Sequence, residues 1–195
     1  MFAGYYNATI KKGVSNQAPQ KAEHPWVATC RLLGEKIRKE NPRLKPFSAI
    51  CLDANVFVAS FMPHEEGYAA ALSLMELVHE KGWPLYEPAV LPSKVISNLH
   101  RKRMEGDLSP DRREEAEDLF FQLPILLQWK PDILKKAGRI AEKLHLKRIY
   151  DCSYLAVAMG RGIPLITFDR ELLQKGRSVY SGLMSVEDFN KQFRT

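Results

Sequence analysis

Short apolar runs without polar alternation recur along this chain, and helical stretches separate them. SAICL (48–52), WPLY (83–86), ILLQW (125–129) and PLITF (164–168) are the clearest, and a further strand is expected around 178–180. Strands that lack a period of two are buried on both faces, which requires a parallel sheet covered by helices on each side. The intervening helices are expected over 66–81, closed by Gly82, and over 92–104, with a basic end. Ser109 as N-cap and Pro110 at the first helical position open another. Residues 131–146 form an amphipathic helix with Ile133, Leu134, Ala137, Ile140, Ala141 and Leu144 inward. Helices over 151–159 and 186–193 complete the set. The fold class is therefore α/β, a three-layer α/β/α sandwich around a mainly parallel sheet, spanning 48–195.

Residues 1–47 form a separate arm. Pro25 and Trp26 open an amphipathic helix that runs to about Glu40, and Pro42 stops it. The arm carries nine Lys/Arg and three Glu, whereas the remainder carries twenty of each sign, so the whole net charge of +6 belongs to the arm. Such an arm suits nucleic-acid binding, or simply a solvated helix face; its helix could also pack on the domain or carry homodimer contacts. The 45% apolar and 27% charged composition is that of an ordinary soluble protein, and no apolar run reaches the ~18 residues of a membrane span. The N-terminus lacks the basic-then-apolar order of a signal peptide. Cys30, Cys51 and Cys152 form no CxxC and read as small buried residues in a reducing cytoplasm.

Three aspartates sit at element boundaries. Asp53 ends the first strand, Asp151 stands at the start of a helix rich in small residues, and Asp169 follows PLITF. Each has a structural reading as an Asx turn or a helix N-cap. Together, with Asp53 and Asp169 at the carboxyl ends of parallel strands, three aspartates at element ends are what a metal-dependent phosphodiesterase needs. Hard cations such as Mg²⁺ or Mn²⁺ prefer carboxylate oxygens and lower the pKa of a bound water.

The segments LDANVFVASF (52–61), EPAVLPSKVISNLHR (87–101) and YDCSYLAVAMGRGIPLITFDREL (150–172) resemble the PIN-domain ribonucleases, a family that includes the VapC-type toxins. The eighteen-residue separation of Asp151 and Asp169 is also like the family's. The resemblance covers about 48–190 and implies a PIN-like sandwich that hydrolyses RNA with Mg²⁺ or Mn²⁺. By position it makes Asp53, Asp151 and Asp169 catalytic and metal-binding, with Asn55 and Thr167 in support. An antitoxin-like protein partner is implied for the toxin members. The family's second acid falls about six residues after the proline of the second strand, and from Pro88 that position is Lys94. A lysine there removes a metal ligand and sets a cation against a divalent ion. Glu87, at a strand end, is the alternative acid.

Arg101, Lys102 and Arg103 could hold an RNA backbone, or could simply complement the dipole of their helix C-terminus. No paired histidines, GxxxxGK[ST] or GxGxxG occur. Two other readings remain: a non-catalytic RNA- or protein-binding module on the same fold, and a phosphatase of the haloacid dehalogenase type, which wants an Asp where Asn55 stands.

Overall fold

The computed structural model describes residues 49–193, so the arm expected over 1–47 lies outside the described residues. Their order is β1 (Cys51–Leu52), α1 (Ala54–Ser60), α2 (Tyr68–Lys81), β2 (Leu85–Pro88), α3 (Leu91–Glu105), α4 (Pro110–Phe121) and β3 (Ile125–Gln128). Then follow α5 (Pro131–Lys143), α6 (Tyr150–Arg161), β4 (Leu165–Thr167), α7 (Arg170–Gly176), β5 (Leu183–Ser185) and α8 (Val186–Phe193). Every strand pair is parallel: β1 with β4, β4 with β5, and β2 with β3. A parallel bridge from Ile50 to Leu85 joins the two sets into the order β3-β2-β1-β4-β5. Helices cover both faces, as the unbroken apolar strands require.

Burial follows that order. Ile50, Cys51, Leu52, Leu165 and Ile166 in the central strands are fully buried. The edge strand β3 exposes Leu126 and Leu127 instead. Helix α6 packs on β1, β2 and β4 through its small residues, with Cys152, Ala156 and Ala158 buried. Gly162 ends it at φ 65°, a left-handed turn that glycine adopts without steric cost. Ser109 caps α4 as expected, its hydroxyl accepting from the Arg112 N–H at 3.3 Å. Cys51 and Cys152 are free and buried. No helix among the described residues is long and apolar enough to cross a membrane.

Several local expectations differ from the structure: the strand expected over 83–86 runs from Leu85 to Pro88, and the helix expected over 131–146 ends at Lys143. Residues 178–180 are not a strand: the N–H groups of Val179 and Tyr180 both donate to the Gly176 carbonyl, a turn that closes α7. The strand comes later, as β5, and pairs with β4 from Leu183 to Ser185. Leu134 faces solvent, because α5 buries only the stripe of Ala137, Ile140 and Ala141, with Leu144 just beyond it. ANVFVAS (54–60), not expected as a helix, is α1. Its β-branched valines weaken helix propensity, but packing against α2, α3 and β4 buries five of its seven residues.

Candidate functional site

Strand β1 pairs with β4 on one side and meets β2 on the other, so the chain leaves neighbouring carboxyl ends in divergent directions. Ligand crevices of open α/β sheets lie at such a switch point. Asp53 enters it directly: its N–H still donates to the Ile166 carbonyl at 2.9 Å, extending the β1–β4 ladder, and its side chain is almost fully buried. Oδ2 accepts from the Thr167 hydroxyl at 2.8 Å and from Asn55 Nδ2 at 2.9 Å. Asn55 in turn accepts from the Phe168 N–H at 3.3 Å, and its amide lies 3.2 Å from Thr167 Oγ1. These bonds fix the plane of the Asp53 carboxylate. Oδ1 is left buried with no hydrogen-bond partner among the described residues.

A cation faces that bare oxygen. Helix α3 buries Leu91, Val95 and Leu99, a spacing of four that seats it on the core and sets Lys94 beside the buried face. The Lys94 ammonium lies 3.6 Å from Asp53 Oδ1 and also donates to Asp151 Oδ1. It sits 5.1 Å from the centroid of the Tyr154 ring, within cation–π range. Asp151 reaches it from the first turn of α6, and Tyr154, one turn further on, is buried beneath. Lys94 thus joins two carboxylates carried by different elements. At ~4 Å and an effective dielectric near 20, each full charge pair is worth about 4 kcal/mol before desolvation.

Asp169 is held elsewhere. It is the N-cap of α7, with Oδ1 accepting from the Leu172 N–H at 2.9 Å. Its own N–H donates to Thr167 Oγ1 at 2.9 Å, so the Thr167 hydroxyl touches both Asp53 and Asp169. Among the described residues no three of His, Cys, Asp or Glu gather closely enough to hold a metal ion.

Glu87 performs a different task. The β1–β2 ladder stops after Ile50, and the Leu52 N–H finds its acceptor in Glu87 Oε1 at 2.7 Å. Glu87 Oε2 lies 3.3 Å from the Cys51 thiol, which donates to it. The side chain is wholly buried, and both oxygens are engaged inside the sheet. A carboxylate wedge between β1 and β2 was not legible in the sequence, because both faces of a central strand are buried and its period does not tell them apart. The ring of Tyr154 beneath Lys94 is a second contributor that sequence reading missed; its helical position read only as core.

Arg101 and Lys102 are engaged in ion pairs at the far end of α3. Arg101 meets Glu105 at 3.1 Å, and Lys102 meets Glu65 and, at 3.1 Å, Asp107. Seven to nine residues of helix, roughly 10–14 Å, separate Arg101, Lys102 and Arg103 from Lys94.

The electrostatics follow from these positions. Burial pushes the Asp53 carboxyl above its ordinary value, although Lys94 and the Thr167 hydrogen bond pull the other way. Burial alone would lower the Lys94 pKa; the Asp53 charge and the Asp151 hydrogen bond outweigh it, so the net direction is up and the ammonium is retained. Burial drives Glu87 well above the usual carboxylate range despite the Leu52 and Cys51 donors. Burial and the neighbouring Asp151 charge push the Cys152 thiol up to about 11, which leaves it unreactive.

The donor set suits a hard divalent cation. A bare, buried carboxylate oxygen on Asp53 opposite a second carboxylate on Asp151 matches the one or two carboxylates through which Mg²⁺ is usually held, water and phosphate supplying the rest. Asp53 and Asp151 would hold such an ion, and Lys94 already contacts both carboxylates.

A family model described as the PIN domain matches residues 50–177. Ribonuclease VapC3 of Pyrobaculum aerophilum is 28% identical over 128 residues, which cover 65% of this chain and 93% of that protein. The crystal structure of PAE2754 from the same organism superposes with a TM-score of 0.56 at 22% identity, covering 80% of this chain and 96% of that one. VapC20 of Mycobacterium tuberculosis, described as a sarcin-ricin loop cleaving toxin, gives a TM-score of 0.52 at 16% identity over 66% of this chain and 95% of its own. VapBC2 from Rickettsia felis, solved bound to a DNA fragment from its promoter, gives 0.51 at 11% identity over 70% of this chain and 96% of that one.

Proposed function

The chain belongs to the PIN-domain family, and on that footing we propose that it is a ribonuclease that hydrolyses RNA phosphodiester bonds at the crevice between β1 and β4. The observation that supports this most is the state of Asp53: one oxygen is oriented by Thr167 and Asn55, and the other is buried, without a hydrogen-bond donor among the described residues, and faces the Lys94 ammonium that Asp151 also contacts. Buried carboxylate oxygens usually have a hydrogen-bond donor, so one that meets only a cation at 3.6 Å calls for an explanation beyond packing. The similarity to Ribonuclease VapC3 supports the same class of reaction.

The roles follow from position. Asp53 and Asp151 would hold Mg²⁺ or Mn²⁺, which when bound supplies a polarised water and Lewis-acid charge at the phosphate. Asp169 adds negative charge from the start of α7, linked to Asp53 through the Thr167 hydroxyl. Thr167 and Asn55 keep the Asp53 carboxylate from rotating. Lys94 stands at the second acidic position of the family pattern and lowers the activity by neutralising part of the ligand set. The substrate is RNA, the setting cytoplasmic, and the partner an antitoxin-like protein or a second copy of the chain. The Rickettsia felis neighbour, solved as a VapBC2 assembly, supports the partner.

One observation favours a second reading. Both oxygens that would take the ion already contact Lys94, as in a site that binds RNA without cutting it. Incubating the purified protein with labelled RNA and Mn²⁺, with and without EDTA, separates the two. For a ribonuclease the expected result is slow cleavage that EDTA and Asp53→Asn both abolish. RNA retained intact on the protein in Mn²⁺, equally well with Asp53→Asn, would favour the binding module.

A further inference from the structure

We propose that Lys94 is the resident cation of this site and competes directly with divalent ions for the Asp53–Asp151 pair. This inference rests on the reading of that pair as a metal site. Four features of the structure carry it. First, Asp53 Oδ1 is buried and has no hydrogen-bond donor among the described residues, and an ammonium 3.6 Å away faces its charge. Second, the same nitrogen donates to Asp151, so one ammonium contacts both of the carboxylates that would hold an ion. Third, the face of Tyr154 lies 5.1 Å from the ammonium and gives it a third, non-ionic stabiliser. Fourth, Lys94 lies just inside the N-terminal turn of α3, whose Leu91, Val95 and Leu99 are locked in the core. Its backbone is therefore fixed, and only the four-carbon stem can move the charge.

Each contact has a consequence for binding. A divalent ion must displace the ammonium, and the freed Lys94 must then stand beside two positive charges or swing toward solvent, to which its side chain is already 25% exposed. The site therefore needs no ion to hold its shape. Without the lysine, two carboxylates would face each other across the crevice with one oxygen uncompensated, which costs stability until an ion enters.

The experiment measures ion binding and thermal stability, with no dependence on turnover. The full-length wild type, Lys94→Arg, Lys94→Met and Lys94→Glu are titrated with Mn²⁺, and the free ion is counted by its electron paramagnetic resonance signal. Melting temperatures are recorded with and without 1 mM Mn²⁺. Wild type and Lys94→Arg are expected to bind Mn²⁺ weakly, and their melting temperature should not respond to it. Lys94→Met should melt about 5–10 °C lower without ion and recover several degrees with it. Lys94→Glu should bind at least tenfold more tightly than wild type. Micromolar Mn²⁺ binding by the wild type, or equal binding by wild type and Lys94→Met, overturns the proposal. Should Lys94→Met not fold, the wild-type titration and Lys94→Glu decide alone. Failure of the ribonuclease reading is distinguishable: no variant would cut RNA, yet Mn²⁺ affinity would still rise when Lys94 is replaced.

Discussion

At Asp53 two hydrogen bonds orient one carboxylate oxygen and leave the other bare, and Lys94 is the charge that answers it. Glu87, in contrast, is a buried carboxyl with hydrogen-bond donors at both oxygens. The contrast has a pH consequence. Burial raises the Glu87 pKa well above its unfolded value, so the folded state holds its proton more tightly. The stability this gives is fully present below the ordinary carboxylate range. It is lost as pH rises through the raised folded pKa. Glu87→Gln keeps an acceptor for the Leu52 N–H and carries no charge. It should match wild type near pH 4 and melt higher at pH 8, by about 3–5 °C for each pH unit of upward shift. Melting curves across pH 4–8 check this; a Glu87→Gln variant that melts below wild type at pH 8 would show that the ionised group is stabilising. Sequence reading could count to Lys94 and Glu87 but not orient them. A lysine stem can point into a crevice or out to solvent, and a glutamate at the end of a central strand can turn to either buried face.

At the level of elements, the alternation of apolar strands and helices was readable because a central parallel strand has no polar face. The strand within PLITF, Leu165–Thr167, was readable for that reason, and Pro131 marked a helix start, although that helix ends at Lys143 and not at 146. Helix α1 did not, since seven residues with two valines carry no period that separates helix from strand, and tertiary packing decided it. Residues 178–180 read as a strand from their composition, but the N–H groups of Val179 and Tyr180 are spent on the turn after α7. Helix α7 also separates two roles that coincide in Asp169. Asn is as good an N-cap as Asp. Asp169→Asn should therefore keep the melting temperature within about 2 °C while lowering RNA cleavage at least tenfold, whereas Asp169→Ala should lose both, with a stability cost of about 1 kcal/mol. Cleavage undiminished in Asp169→Asn would leave Asp169 as a cap and nothing more.

For the whole molecule, the order β3-β2-β1-β4-β5 puts β1 at the centre, with Asp53 at its carboxyl end where the strand order switches direction. Fold class was legible from this pattern. The pairing of Asp53 with Asp151 through Lys94 was not, because it joins side chains from three elements far apart in sequence. Charge is divided unevenly along the sequence: residues 48–195 are balanced, and residues 1–47 hold the +6 excess. If that excess meets RNA, deleting 1–47 should weaken RNA binding at 50 mM salt and flatten its salt dependence, by about 0.7 in slope for each phosphate that the arm no longer neutralises. An unchanged slope would assign the arm to another task. The most direct test of a metal site held in check by Lys94 is the initial rate of RNA cleavage in 1 mM Mn²⁺ by wild type, Asp53→Asn and Lys94→Glu. The expected result is a slow wild type, no cleavage by Asp53→Asn, and a Lys94→Glu rate at least tenfold above wild type. A wild type as fast as Lys94→Glu, or an Asp53→Asn variant that still cuts, would contradict it.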